Sequence, residues 1–221
     1  MYEIGIKEIP QMFKSVAVLF AKKKSELCEM DALMGDGDLG LTMSKGFDAL
    51  QRYLFADSDA NDVGMMLFKA GMKMQNAVPS TMGTLMSSGV MEAGKALKGK
   101  TKLIPKDFET YVCAFAVGIQ KRGKCKLGDR TILDSIDAAA KEVTELIKEK
   151  PDANFLEVFN TAVVGAEEGV EATRNMVPKF GKAVTHMAKA KGIPDQGAIA
   201  GLYMLTGLRN YFAEQTDISL N

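Results

Sequence analysis

The chain has 221 residues, 47% of them hydrophobic, and 28 Lys plus Arg balance 28 Asp plus Glu for a formal net charge of zero. That is room for one large domain or two small ones, without the basic excess of a nucleic-acid surface or an apolar run of about 18 residues for a membrane helix. The N-terminus lacks the basic-then-apolar layout of a signal peptide, and three scattered cysteines (Cys28, Cys113, Cys125) without zinc-ligand spacing fit reduced thiols in a cytoplasm.

Apolar residues recur at three-and-four spacing almost throughout, which predicts helices. Met12, Phe13, Val16, Leu19, Phe20 and Leu27 mark a first helix over 6–30. A loop at 31–40 follows, then a second helix carried by Met43, Phe47, Leu50 and Leu54. Asp62 is placed to cap a third helix running to 78. Pro79-Ser-Thr-Met-Gly83 interrupts, and a fourth helix covers 84–97. Pro105 opens a fifth, to 122, at a position where its missing N–H does no harm. A sixth spans 132–150, a seventh runs from Phe155 to near 175, and a last one is carried by Ile199, Leu202, Tyr203, Leu205 and Leu208. Residues 111–119 are the best strand candidate, but a helix fits their neighbours better. The 15 methionines fall mostly at core spacing and read as packing.

The expectation is a single all-α domain over 1–221, with eight helices, no convincing strand and no repeat. Short connections make consecutive helices antiparallel neighbours. The loops at 31–40, 78–83, 123–130 and 176–196 then share one end of the array. Those at 55–61, 98–104 and 151–153 lie at the other and read as ordinary turns. Loops converging on a rigid scaffold are where binding sites usually sit.

The first of these loops, Asp31-Ala-Leu-Met-Gly-Asp-Gly-Asp-Leu-Gly40, packs three carboxylates and three glycines into ten residues with no Lys or Arg among them. Asp and Gly are poor helix formers. Clustered like charges need a cation, and Mg²⁺ favours such oxygen ligands together with phosphate. Asp31, Asp36 and Asp38 are therefore candidate ligands for two Mg²⁺ ions; the alternative is an acidic connection with capping aspartates. Ser80, Thr81, Met82 and Gly83 stand at a helix N-terminus, where free N–H groups favour an anion, or where Ser80 or Thr81 simply caps. Gly128-Asp129-Arg130-Thr131-Ile132-Leu133-Asp134 opens another helix, with Asp129 as a candidate N-cap and Asp134 able to pair with a nearby Arg or Lys. Asp195, before Gln196 and Gly197, could cap the last helix or organise a nucleotide. Lys179, Lys182, Lys189 and Lys191 precede it as phosphate-facing or simply solvated cations. His186, the only histidine, has no partner motif for a phosphoenzyme or general-base role. There is no P-loop, kinase catalytic loop or GxSxG.

Together the four loops resemble the L subunit, the nucleotide-binding subunit, of dihydroxyacetone kinases. The family pattern is a D-x4-GDGDxG run, a Gly/Ser loop starting a helix, GDKTxxD, and GRAS…DPGA. It stands here as Asp31…Gly35-Asp36-Gly37-Asp38-Leu39-Gly40, residues 79–84, residues 128–134, and Gly181-Lys182-Ala183…Asp195-Gln196-Gly197-Ala198. The resemblance implies an eight-helix antiparallel barrel with a nucleotide at one rim. Asp31, Asp36 and Asp38 would hold two Mg²⁺ ions against ADP or ATP. Around the nucleotide it places Leu39, Gly40, Leu41, Thr42, Thr81, Met82, Gly123, Ile132, Lys182, Asp195, Gln196 and Gly197, with Ser80, Gly83, Asp129 and Thr131 as further cofactor-binding candidates.

It further implies a separate K subunit that holds dihydroxyacetone through a histidine. In phosphotransferase-type bacteria, an M subunit rephosphorylates a retained ADP. Such a chain would stabilise charge on the transferring phosphoryl group rather than attack it. Leu39, the 79–83 loop, Lys182 and Gln196 depart from the family's histidine, Gly-Gly-Ala-Ser-Gly, arginine and proline. Lysine keeps the charge but loses the bidentate fork. The alternatives are an ATP-dependent kinase subunit for another ketose or a fatty acid, and a non-catalytic helical regulator.

Overall fold

A computed structural model describes residues 2–219, apart from the side chains of residues 186, 188, 189 and 216–219. The α-helices are α1 (Ile9–Lys22), α2 (Lys24–Ala32), α3 (Leu39–Ala56), α4 (Val63–Ala77), α5 (Thr81–Ala96), α6 (Pro105–Gly123), α7 (Ile132–Glu149), α8 (Phe155–Ala172), α9 (Met187–Ala190) and α10 (Gln196–Ser219). Each of α1, α3, α4, α5, α6, α7, α8 and α10 packs on the next, and α10 returns to α1, so eight helices close a ring. The antiparallel array expected from the helix pattern, closed into the barrel that the resemblance implies, is the observed fold.

Local sequence sets the starts. Asp62 Oδ1 accepts the Met65 N–H at 2.9 Å, and Ser80 Oγ accepts the Gly83 N–H at 3.1 Å. Asn154 and Glu157 cap α8 reciprocally. Each such cap satisfies donors that the first turn leaves open. Lys124, with φ 53, ends α6 in the left-handed region.

The barrel is filled by side chains. Phe20 stacks on Phe47 with centroids 4.8 Å apart. Phe108, Phe155, Phe159 and Phe212 form a second aromatic group, with Phe108–Phe159 at 4.1 Å and Phe159–Phe212 at 4.8 Å. This group sits at the starts of α6 and α8 and the far part of α10, which is the end away from the acidic loop. No helix among the described residues is long and apolar enough to cross a membrane.

Four expectations need correction. The helix expected over 6–30 breaks at Lys23, into α1 and α2. Its polar run Lys22-Lys-Lys-Ser-Glu26 offers the core nothing, and α2 buries only Leu27 and Asp31. The acidic loop is shorter than 31–40: Asp31 belongs to α2, while Leu39 and Gly40 begin α3. Two strands also exist, β1 (Ile4–Gly5) and β2 (Lys102–Leu103), paired antiparallel with Ile4 opposite Leu103. Two residues each are too few to show a period. The 176–196 stretch is not plain loop but holds a 3₁₀ turn at Lys182–His186 and the single turn α9. Residues 111–119 are helical, within α6; α5 starts at Thr81, three residues before the expected 84, while α10 starts at Gln196, directly after the cap candidate Asp195.

Candidate functional site

The ends of α2, α4, α6 and α8 and the starts of α3, α5, α7 and α10 meet at one rim. A cleft of about 250 Å³ opens there. Its acidic wall is Asp31, Asp36 and Asp38, whose carboxylate oxygens lie within 4.8 Å of one another. Asp31 is buried. Its Oδ2 accepts the N–H groups of Asp38 (3.1 Å) and Leu39 (3.3 Å), and its Oδ1 accepts Gln196 Nε2 at 3.3 Å. This carboxylate ties the loop to α10. Gly35 must be glycine, because a Cβ there would meet Asp31 Oδ1 at 2.2 Å.

The two exposed aspartates differ. The Lys182 ammonium bonds Asp36 at 2.5 Å and holds its carboxyl below the usual range. Burial, then the neighbouring Asp36 and Asp31, pushes Asp38 up. A divalent cation among the three would relieve that repulsion, and the all-oxygen donor set suits a hard ion. Lys182 comes from 151 residues beyond Asp31, so the acidic run's lack of a local cation does not persist in the fold.

Opposite stand the N-termini of α5 and α7. Thr131, not Asp129, caps α7. Its Oγ1 accepts the Leu133 N–H at 3.2 Å, and Asp134 Oδ2 accepts the Thr131 N–H at 2.7 Å. Asp134 therefore serves backbone donors, Gly128 N–H among them at 2.7 Å, rather than an Arg or Lys. The polar positions adjoin a positive-φ pair, Gly128 and Arg130, which turns the chain so that Asp129 faces away. Buried Asp129 accepts Lys126 N–H and the Lys179 ammonium, each at 2.7 Å, and Lys179 holds its carboxyl low.

Asp195 does take the capping position at α10. Its Oδ2 accepts the Ala198 N–H at 2.9 Å, its own N–H donates to Thr173 Oγ1 at 2.8 Å, and Oδ1 lies 3.7 Å from Arg130 Nη1. Burial outweighs these partners and pushes its carboxyl up to about 6. The unfolded value is about 3.9. The native state therefore holds the proton more tightly, and the stability this gives is present below about pH 4 and lost as pH rises through about 6. Asp195→Asn keeps a capping oxygen but does not titrate. The wild-type stability minus that of the variant, from urea unfolding, is expected to fall between about pH 4 and 6 and level above. A difference that is flat or rises with pH refutes this.

Of the candidates read from sequence, Asp31, Asp36, Asp38, Leu39, Ser80, Thr81, Met82, Thr131, Ile132, Lys182, Asp195, Gln196 and Gly197 line the cleft. Gly40, Leu41, Thr42, Gly83, Gly123 and Asp129 do not. Leu41 points to solvent, Thr42 is buried, Gly83 packs on Val78, and Gly123 lies behind Leu85. The His186 and Lys189 side chains lie outside the described residues, and Lys191 is exposed. Met34, Leu85, Arg130, Phe180 and Ala183 line the cleft without having been singled out. Met34, Arg130 and Ala183 carried a sequence signal, their places inside the runs quoted above; Leu85 and Phe180 carried none.

The closed helical barrel carries an acidic trio that could hold a metal, facing helix N-termini across one rim. The chain belongs to the DAK2 domain family, whose pattern matches residues 33–210. It is similar to the triokinase/FMN cyclase of Mus musculus, 30% identical over 197 residues that cover 88% of this chain and 33% of that protein. It is also similar to the ADP-binding subunit DhaL of PEP-dependent dihydroxyacetone kinase 2 from Listeria innocua, 28% identical over 188 residues, covering 85% of this chain and 86% of that one. The chain spans about a third of the length of the triokinase relatives it matches. Among solved structures, the dihydroxyacetone kinase from C. freundii in complex with AMP-PNP and Mg²⁺ shares the fold, with TM-score 0.67 and 21% identity over 91% of this chain and 33% of that one.

Proposed function

We propose that this chain is the nucleotide-binding subunit of a dihydroxyacetone-type kinase in the cytoplasm, folded as one domain. Its relatives include a protein named as an ADP-binding subunit, and a protein of like fold was crystallised with AMP-PNP and Mg²⁺. The observation that carries the reading is the acidic trio gathered within 4.8 Å beside Lys182. Asp31, Asp36 and Asp38 would hold two Mg²⁺ ions on the phosphates of ADP or ATP. Held there, they would supply positive charge against a transferring phosphoryl group.

The protein's own part is positioning. Asp31 is fixed by two backbone N–H groups and Gln196 before any ligand arrives. Lys182 supplies a positive charge on an exposed segment at the mouth. The N-termini of α5 and α7 offer N–H groups to phosphate. Met82, Leu85, Ile132 and Phe180 give the cleft apolar walls. The acceptor hydroxyl would be brought by a separate K-type subunit carrying the dihydroxyacetone. An M-type phosphotransfer subunit would recharge bound ADP.

Calorimetry tests the reading. Titration with ADP is expected to give saturable binding in millimolar Mg²⁺ and none in EDTA. Equal affinity in both, or no binding in either, overturns it.

A further inference from the structure

Arg130 is a cation with no exposed side-chain surface at the floor of the cleft. Its backbone has φ 60, a left-handed conformation that is costly for a residue with a Cβ. Such strain persists only where the surroundings over-determine it. What they determine is the reach of the guanidinium. Nη2 donates to the Ile193 carbonyl at 3.0 Å, lies 3.5 Å from the Ala190 carbonyl, and touches Met34 Sδ at 3.8 Å. Nη1 faces Asp195 at 3.7 Å without a hydrogen bond, and Nε has no hydrogen-bond partner among the described residues.

We infer that Arg130 is a positioning residue: it holds the 190–196 corner against the acidic loop, and so sets where Gln196 meets Asp31. The link is continuous. Met34 belongs to the loop that carries Asp36 and Asp38. Ala190, Ile193 and Asp195 belong to the corner, and Gln196 closes the circuit with its 3.3 Å bond to Asp31 Oδ1. One planar fork addresses the Ile193 carbonyl and faces the Asp195 carboxylate of the corner while its Nη2 also touches Met34 of the acidic loop. A lysine, with a single compact head, does not span both. A buried guanidinium that spends so few of its five donors is poor as a pure stability device. Its value lies in fixing two walls relative to each other.

The proposal rests on the cleft being a Mg²⁺–nucleotide site, and its test has an arm that does not. Arg130→Lys is compared with wild type by hydrogen exchange of the amides at 190–198, with those at 139–147 of α7 as a reference, and by calorimetry with Mg·ADP. Exchange at 190–198 is expected to quicken at least tenfold while the α7 reference holds within twofold. Mg·ADP affinity is expected to fall about tenfold, or about 1.4 kcal/mol. Equal acceleration in both segments makes Arg130 merely structural and overturns the proposal, as does no change at 190–198. Should Arg130→Lys fail to fold, Asp195→Asn, which keeps the cap and removes the fork's carboxylate, is judged by the same exchange criteria. If wild type itself ignores Mg·ADP, the nucleotide reading falls and the exchange arm alone decides the role of Arg130.

Discussion

Asp36→Ala is expected to raise the dissociation constant for Mg·ADP by at least about 100-fold and to leave the melting temperature almost unchanged. Even partners of metal ligands typically cost 10- to 100-fold in metal affinity, so a direct ligand costs no less. Asp36 is half exposed and its ion pair with Lys182 is a surface pair, which contributes little to folding. Asp31→Ala separates the two roles. It removes a proposed ligand and also strands the N–H groups of Asp38 and Leu39, so binding is expected to be lost and stability to fall by about 1–3 kcal/mol. Calorimetry with Mg·ADP beside thermal melting reads both. Unchanged affinity in Asp36→Ala, or a large melting shift in Asp36→Ala but not in Asp31→Ala, contradicts the assignment.

Gly40→Ala is expected to destabilise the protein by about 3 kcal/mol, at the upper end for forcing atoms into a packed site. A Cβ at Gly40 would lie 1.9 Å from the Lys24 carbonyl oxygen and 2.9 Å from Cys28 Sγ. The first is backbone and cannot step aside without moving α2. Because α2 carries Asp31, the same change should weaken Mg·ADP binding although Gly40 does not line the cleft. For a chain of this size the melting temperature should drop by about 6–12 °C. A drop under about 2 °C would mean that α2 and α3 slide freely over each other.

The architecture was readable because each ring helix writes a long apolar stripe, and parity then puts alternate loops at one end. The acidic trio was readable because its members are close in sequence. What escaped was short or non-local. The break at Lys23 leaves no stop signal, since lysine and serine do not forbid a helix. The β1–β2 pair is two residues deep. The Asp129 cap failed because Thr131 with Asp134 forms a complete capping box two residues later, and reciprocal bonding wins over a lone carboxylate. The contacts of Arg130 were invisible for a different reason. Its partners Ala190, Ile193 and Asp195 are 60 or more residues away, and two of them offer only backbone carbonyls, which no side-chain pattern reports.

The ring has a seam, and α10 fills it, touching α8 on one flank and α1 on the other. The same helix begins with Asp195 and Gln196, which complete the cleft. Without α10 docked, the ring is open between α8 and α1 and the mouth lacks Asp195 and Gln196. A ligand that needs Gln196 against Asp31 therefore recognises only chains whose seam is shut. The binding energy of such a ligand would oppose unzipping of that seam.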